Sequence, residues 1–381
     1  MGGLKENHIE LFHSSDLEVW APGRINLIGE HTDYNSGFVL PAAIDRGIQM
    51  FFSFDKSANR FDLYSHNFQD SRHFTKSDHN LPDDNWAKYL QALIQVVEES
   101  EKIEIPYFSV SLESNIPVGG GLSSSAALNA GFLTGINQLL GKNWSKVAMA
   151  ELAQKTEHKI GLNVGIMDPY AIIHGVEDGF IFLDCQSQSH EIISSNFDDY
   201  VLVLVDTMVS HNLASSEYNA RRETCERVVA ATQTFRKVTS LRDVNKEDLQ
   251  YINHHYPEVS TVEAEYILEE NQRVVEAVTA LKSKDFLGLG KLLFASHEGL
   301  KSKYRVSCDE LDFLVDIAIQ SPAVLGARMM GGGFGGNTIN LLHKNDVQQW
   351  EEEVKDKYKV KYGVLPNTLV ARPSIGAKIV E

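Results

Sequence analysis

Residues 108–140 read FSVSLESNIPVGGGLSSSAALNAGFLTGINQLL. Phe108, Val110 and Leu112 alternate with Ser109, Ser111 and Glu113, the period of a half-buried strand. Beyond the glycines, Ala127, Leu128, Phe132, Ile136, Leu139 and Leu140 recur at helical spacing up to Gly141, which suits the residue just past a helix end. The stretch therefore predicts strand, loop and helix. The loop is Pro117–Ser125, with Gly119, Gly120 and Gly121 followed by Leu122, Ser123, Ser124 and Ser125. Glycines let a backbone approach a ligand closely. A helix start adds unpaired N–H groups and the positive end of a dipole, so the loop is suited to phosphate. Its serines can cap the helix or touch a metal. Taken alone, the same loop is equally a capped turn. No lysine follows the glycines, which excludes a Walker A loop.

Outward from this loop, four more stretches carry polar chemistry. Residues 21–35, APGRINLIGEHTDYN, gather Arg24, Glu30, His31, Thr32 and Asp33 between apolar anchors. Such loops carry function, and carboxylates with an imidazole can meet several hydroxyls at once, which is what a sugar presents. Residues 161–168, GLNVGIMD, place Asp168 after a glycine-spaced apolar segment that includes Gly165. Tyr218 falls in the first turns of a helix expected over Ser215–Thr232, after a strand at Val201–Val205. The run Gly331–Gly336 matches GxGxxG literally, but the following NTINLL alternates like a strand, so it is no dinucleotide fingerprint. The histidines include no HExxH, and the adjacent His254 and His255 cannot share one face, so no metal site follows from their spacing.

Composition narrows the class. The chain has 381 residues, enough for about two domains. Its net charge of −17 opposes a duplex-binding role. Cys185, Cys225 and Cys308 are far apart with no CxxC pair, which points to a reducing, cytoplasmic setting without a thiolate zinc site. There is no apolar leader, and the longest obvious apolar run has five residues, too short for a membrane span. Strands are expected at Glu18–Ala21, Ile48–Phe54, Phe180–Leu183, Ile339–Leu342 and Thr368–Arg372. Helices are expected at Lys146–Glu157, Thr261–Leu281, Cys308–Ala318 and Val347–Lys357. Grouped strands and helices without strict alternation argue for α+β. The motif-poor stretch Gln186–Asp198 places the boundary between domains 1–190 and 191–381.

Five stretches, in this order along the chain, closely resemble the galactokinases of the GHMP kinase superfamily. They are APGRINLIGEHTDYN with GFVLPAAIDRG, then PVGGGLSSSAAL, GIMD, HNLASSEYNARR and MMGGGFGG. The resemblance implies an α+β fold with an N-terminal domain similar to the second domain of ribosomal protein S5 and a ferredoxin-like C-terminal domain. ATP and sugar would meet at the interface. The implied reaction transfers the ATP γ-phosphate to the C1 hydroxyl of α-galactose, with Mg²⁺. In the resemblance Arg24 stands near the transferred phosphoryl group, and Asp168 either takes the hydroxyl proton or orients that hydroxyl. Glu30, His31, Thr32, Asp33, Gly165 and Tyr218 match the sugar-binding segment positions, and Gly119–Ser125 the ATP loop. Ser125 and Glu157 match the Mg²⁺ positions, and Trp86 an adenine-side aromatic. A cytoplasmic monomer working on galactose and ATP, with neither nucleic acid nor membrane as partner, is expected. A kinase of N-acetylgalactosamine or arabinose and a non-catalytic sugar and ATP sensor are the alternatives. Pro169, where galactokinases usually carry Gln, departs from the pattern, as do Gly120 for a common Ala and Asn337 for a common Cys.

Overall fold

The computed structural model describes residues 2–78, 86–117, 119–209 and 214–380. Val118 of the phosphate-type loop and His211, Asn212 and Leu213 of the HNLASSEYNARR stretch lie outside the described residues.

The alternating residues 108–112 do form a strand, Ser109–Ser114. It sits inside a six-stranded sheet in the order Lys378–Val380, Leu17–Asn26, Pro41–Ser53, Ser109–Ser114, Phe61–Ser65, Asp70–Phe74. The helix after the glycines, Ser124–Leu139, lies across this sheet. It can approach closely because two of its residues lack side chains. A Cβ on Gly131 would come within 2.4 Å of Met50 Cε, and one on Gly135 within 2.5 Å of Phe52 Cζ. Phe52 meets Phe108 and Phe132 at ring separations of 5.6 and 6.5 Å, so strand, sheet centre and helix share one apolar core.

Leu17–Asn26 runs five residues further than the expected Glu18–Ala21, which carries Arg24 onto a strand rather than into a loop. The register with Pro41–Ser53 shifts between Pro22 and Arg24, and a bulge is where a sheet tolerates proline. Gly23 then lets the strand meet the glycine-serine loop: Arg24 N donates to Leu122 O at 3.1 Å, and a Cβ on Gly23 would stand 2.7 Å from that same oxygen.

A second, four-stranded antiparallel sheet has the order Val324–Met329, Asn337–His343, Tyr200–Asp206, Asn367–Ala371. The apolar run Val201–Val205 is explained by burial on both faces. Val203 and Val205 pack with Trp350, Val354 and Leu314 of the helices Val347–Tyr362 and Asp309–Gln320, while Leu202 and Leu204 join the main core. Gly331–Gly336 links two antiparallel strands of this sheet, as its context required, and is followed by no helix.

Gln186–Asp198 is not a bare linker. It contains the strand Ser189–Ser194, which pairs with Gly179–Asp184 in a three-stranded sheet completed by Phe38–Val39. The last strand, Lys378–Val380, returns to pair with Leu17–Asn26. No helix among the described residues is long and apolar enough to cross a membrane.

Candidate active site

Arg24, projecting from the bulged strand, is almost fully buried. A buried guanidinium needs an anion, and it has one: Nε donates to Asp168 Oδ1 at 2.7 Å and Nη2 to Asp168 Oδ2 at 2.8 Å. This two-point geometry is the strong form of the arginine–carboxylate pair. Nη1 donates to Gly121 O at 2.6 Å, tying the pair to the glycine loop. Burial would lower the Arg24 guanidinium, but Asp168, with Glu30 and Asp33 behind it, raises it instead.

Asp168 stands in the first turn of the short helix Met167–His174. Pro169 therefore falls at an early helical position, where the lost N–H has no partner to leave. Ser123 Oγ donates to Asp168 Oδ2. Ser123 has φ +60° and makes no side-chain cap on the helix Ser124–Leu139. The hydroxyl that could have capped the helix is turned to the carboxylate, and the N–H groups of the helix start stay available for an anion. Ser125 Oγ donates to Glu157 Oε1 at 3.1 Å from the next helix, Lys146–Lys159. Burial, and then the Asp168 charge, push the Glu157 carboxyl up to about 7.

A cavity of about 210 Å³ opens beside Asp168, walled by Arg24, Glu30, His31, Asp33, Gly165 and Tyr218, with Gly331 and Gly332 closing it. Glu30 is held from the C-terminal half of the chain. Its Oε1 accepts from Arg328 Nη2 at 3.0 Å and from Gly331 N at 2.9 Å. Arg328 is wholly buried and also binds Leu27 O and Met329 O, at 2.8 and 2.6 Å. Asp33 packs on Gly165 so tightly that a Cβ there would lie 1.8 Å from its Oδ2. Burial and the nearby Asp168 push the Asp33 carboxyl up to about 7. Burial lowers His31 to about 3, so the ring is neutral. Tyr218 reaches the cavity from the helix Ala214–Gln233, its ring 5.4 Å from that of His31.

On the other side of Ser124 and Ser125 lies a second, largely apolar cavity of about 230 Å³, lined by Trp86, Tyr89, Phe68, Leu112, Ile116 and Leu128. Trp86 is steadied by its Nε1, which donates to Asp70 Oδ2 at 3.1 Å. Phe68 stands 61% exposed at the rim.

The structure thus brings Arg24, Glu30, His31, Asp33, Gly165, Asp168 and Tyr218 around one cavity, and Trp86, Ser124 and Ser125 around its neighbour. Thr32 does not join them. It is fully buried, and its hydroxyl is committed to Gly29 O and Phe38 O at 2.8 and 2.6 Å, which holds the turn that aims its neighbours. Leu122 is a core residue whose carbonyl, not its side chain, serves the loop. Gly120 packs against Asn337, whose side-chain amide donates to Gly120 O. A Cβ on Gly120 would lie 2.8 Å from Asn337 Nδ2, so the two departures at these positions accommodate each other. Arg328, Tyr304 and Phe68 were not anticipated from sequence, and Tyr34, though inside the sugar motif, had no role of its own there. Arg328 had a signal: an arginine inside an apolar strand must bury an anion with it.

A family description of the galactokinase galactose-binding signature matches residues 6–54, one of the GHMP kinases N terminal domain matches 88–176, and one of the GHMP kinases C terminal matches 277–360. The chain is 40% identical to a galactokinase of Thermotoga maritima over 91% of this chain and 95% of that one. It is 37% identical to a galactokinase of Staphylococcus carnosus over 96% and 95%. The crystal structure of Lactococcus lactis galactokinase complexed with galactose superposes with a TM-score of 0.93 at 31% identity, covering 99% of both chains. A mevalonate kinase structure, at a TM-score of 0.64 and 20% identity, shares the fold.

Proposed function

The chain belongs to the galactokinase family of the GHMP kinases, and from that premise we propose how its site works. It has the mixed α/β, two-domain fold of that superfamily and is an ATP-dependent kinase of galactose. The single observation that carries the assignment of the site is the two-point Arg24–Asp168 pair, which closes one end of the sugar-sized cavity and abuts the uncapped start of the helix Ser124–Leu139.

Galactose occupies the cavity of Glu30, His31, Asp33, Gly165 and Tyr218, its C1 hydroxyl toward Asp168. Asp33 and Glu30 accept hydroxyl protons and Tyr218 closes the apolar side. The ATP phosphates lie over Gly119–Ser125, with the adenine in the apolar cavity beside Trp86 and Phe68. Arg24 stands where charge develops on the transferred group. Phosphoryl transfer is mostly positioning and charge stabilisation, and these residues supply both. Asp168 orients the C1 hydroxyl and takes its proton, while its pairing with Arg24 and Ser123 fixes the carboxylate plane.

Ser125 and Glu157 fit Mg²⁺. They are hard oxygen donors 3.1 Å apart at the phosphate end of the site. No group of three or more His, Cys, Asp or Glu side chains able to hold a metal occurs among the described residues, and Mg²⁺ bound through phosphates needs only one or two protein oxygens. When bound, the ion neutralises phosphate charge.

The order of the four-stranded sheet supports a ferredoxin-like C-terminal domain, since in chain order its strands lie 2-3-1-4. The six-stranded sheet with its covering helices supports the S5-like assignment for 1–190, the last strand of 191–381 returning to its edge. The site is walled from both halves, by Arg24 and Asp168 on one side and Tyr218 and Gly332 on the other. We place the protein in the cytoplasm as a monomer, a reading supported by three free cysteines and by a site assembled within one chain. An ADP-release assay over a sugar panel tests the substrate. Galactose should give the highest kcat/KM, and a higher value with N-acetylgalactosamine or arabinose would overturn the choice.

A further inference from the structure

His31 faces the sugar cavity, and what it offers there depends on which ring nitrogen carries its one proton. Its backbone is held in the left-handed region at φ +65°, which directs the ring into the cavity while its carbonyl accepts from Asn35 Nδ2 at 2.9 Å. Nδ1 points away from the cavity and lies 2.8 Å from Tyr34 OH. Tyr34 OH in turn lies 2.7 Å from Tyr304 OH. Tyr304 is fully buried, on a turn of π-helix at Leu300–Tyr304 that continues the helix Phe286–Gly299. Such turns recur at functional sites. Arg221 fixes this one by donating to Tyr304 O at 2.7 Å. Beyond Tyr304 OH, the remaining hydrogen-bonding neighbour among the described residues is Cys225 Sγ at 3.5 Å.

Counting protons selects a direction. Two hydrogen bonds join His31 Nδ1, Tyr34 O and Tyr304 O, and the two phenols own one proton each. If Tyr304 donates to Tyr34 and Tyr34 donates to His31, both bonds are filled and the Cys225 thiol proton points at Tyr304 O. If the chain runs the other way, the Tyr304 proton is left to sulfur, a weak acceptor at the longest distance of the series. The first arrangement makes Nδ1 an acceptor, so the ring proton of the neutral imidazole sits on Nε2. Nε2 is buried and completes no well-formed hydrogen bond among the described residues, and the nearby Gly332 backbone, an acceptor, favours a proton on the ring. A donor held so loosely is one that an incoming hydroxyl oxygen would satisfy.

We propose that Tyr34 and Tyr304 form a positioning relay that fixes His31 as its Nε2–H tautomer, so that this wall of the site presents a hydrogen-bond donor to an oxygen of the sugar. The inference rests on the sugar-kinase reading for its kinetic consequence and on the three hydrogen-bonding groups alone for the tautomer. Neither tyrosine hydroxyl touches the reacting atoms. The relay joins the N-terminal sugar motif to the C-terminal helices, so sugar affinity depends on a residue 270 positions away from its partner.

The test combines two readouts on the full chain. With ¹⁵N-histidine labelling, His31 being assigned by the signal lost in His31→Asn, long-range ¹⁵N–¹H spectra should show a protonated Nε2 and a pyridine-like Nδ1. Tyr34→Phe and Tyr304→Phe should each convert that signature to a mixture. In the same variants the KM for galactose should rise about tenfold, with kcat within about twofold and the KM for ATP unchanged. A merely structural role would shift thermal stability without moving the tautomer. An Nδ1–H tautomer in the parent overturns the proposal. So does a Tyr304→Phe variant that folds and keeps both the parent signature and the parent KM. Should Tyr34→Phe not fold, the parent spectrum and Tyr304→Phe decide. A parent that shows the Nε2–H signature yet phosphorylates no sugar would refute the kinase reading and leave the relay standing.

Discussion

Asp33→Asn should make the unliganded protein more stable while removing its hold on galactose. Asp33 packs against Gly165, and burial followed by the Asp168 charge takes its carboxyl from 3.8 to about 7. The folded chain therefore holds this proton more tightly than the unfolded chain does. The ionised group costs stability: the cost is absent below the unfolded value of 3.8, grows as pH rises, and is complete above about 7. At about 1.4 kcal/mol per pK unit the full shift corresponds to about 4 kcal/mol. Asp33 keeps part of its surface open to the cavity, where water screens it, so the working range is about 1–3 kcal/mol. Asparagine has the same shape, can still accept from Met167 N, and carries no charge at any pH. Without ligand at pH 8, Asp33→Asn should melt above the parent by about 2–6 °C. At pH 5 the gap should shrink to about a third, because most of the penalty has already been relieved. Calorimetric titration with galactose should show binding lost. Scanning fluorimetry at the two pH values supplies the comparison. A variant less stable than the parent at pH 8, or a gap independent of pH, would show that this carboxylate is not held at the expense of stability.

Contacts of Gly165 in the sugar cavity and of Glu157 beside Ser125 give two further outcomes. Gly165→Ala places a methyl 1.8 Å from Asp33 Oδ2; the carboxylate must move by about an ångström, and kcat/KM for galactose should drop about 10²-fold in steady-state assays while the melting temperature changes little. Glu157, pushed up to about 7 by burial and by Asp168, must be ionised to serve Mg²⁺. At saturating galactose the half-saturating Mg²⁺ concentration should rise about tenfold per pH unit below 7, and Glu157→Gln should abolish that slope; a slope unchanged in the variant would take Glu157 out of the metal site.

Much of this arrangement was legible in the residues because local pattern and tertiary role coincide. The alternation at 108–112, the helical spacing from Ala127 to Leu140 and the terminating Gly141, at φ +59°, all describe the sheet and the helix they form. The alternation that follows Gly331–Gly336 marks the strand Asn337–His343 and excludes a dinucleotide fingerprint. What was not legible depends on partners far along the chain. Arg24 was expected in a loop, because Pro22 and Gly23 read as turn residues. The bulge that makes them compatible with a strand exists only against Pro41–Ser53 and Leu122. The helix that carries Asp168 has no visible pattern in the sequence, since an eight-residue helix containing proline is too short to announce itself. Thr32 sits within the sugar motif but turns inward, a choice set by two carbonyls and invisible in spacing. Ser189–Ser194 was taken for part of a break because a short polar strand on the outside of a hairpin has no apolar alternation to show. Lys88–Glu101 is a different case: Leu90, Leu93, Ile94 and Val97 carry plain helical spacing, and the helix could have been found.

In the proposed mechanism the Arg24–Asp168 pair beside the uncapped helix start carries phosphoryl transfer to the sugar. Asp168→Asn keeps the shape of the side chain and removes the carboxylate that Arg24 and Ser123 bind. With galactose binding followed by calorimetry and transfer by single-turnover formation of galactose 1-phosphate, the variant should show near-parental galactose affinity and a transfer rate reduced about 10²–10⁴-fold. A variant that transfers phosphate at the parental rate would contradict it.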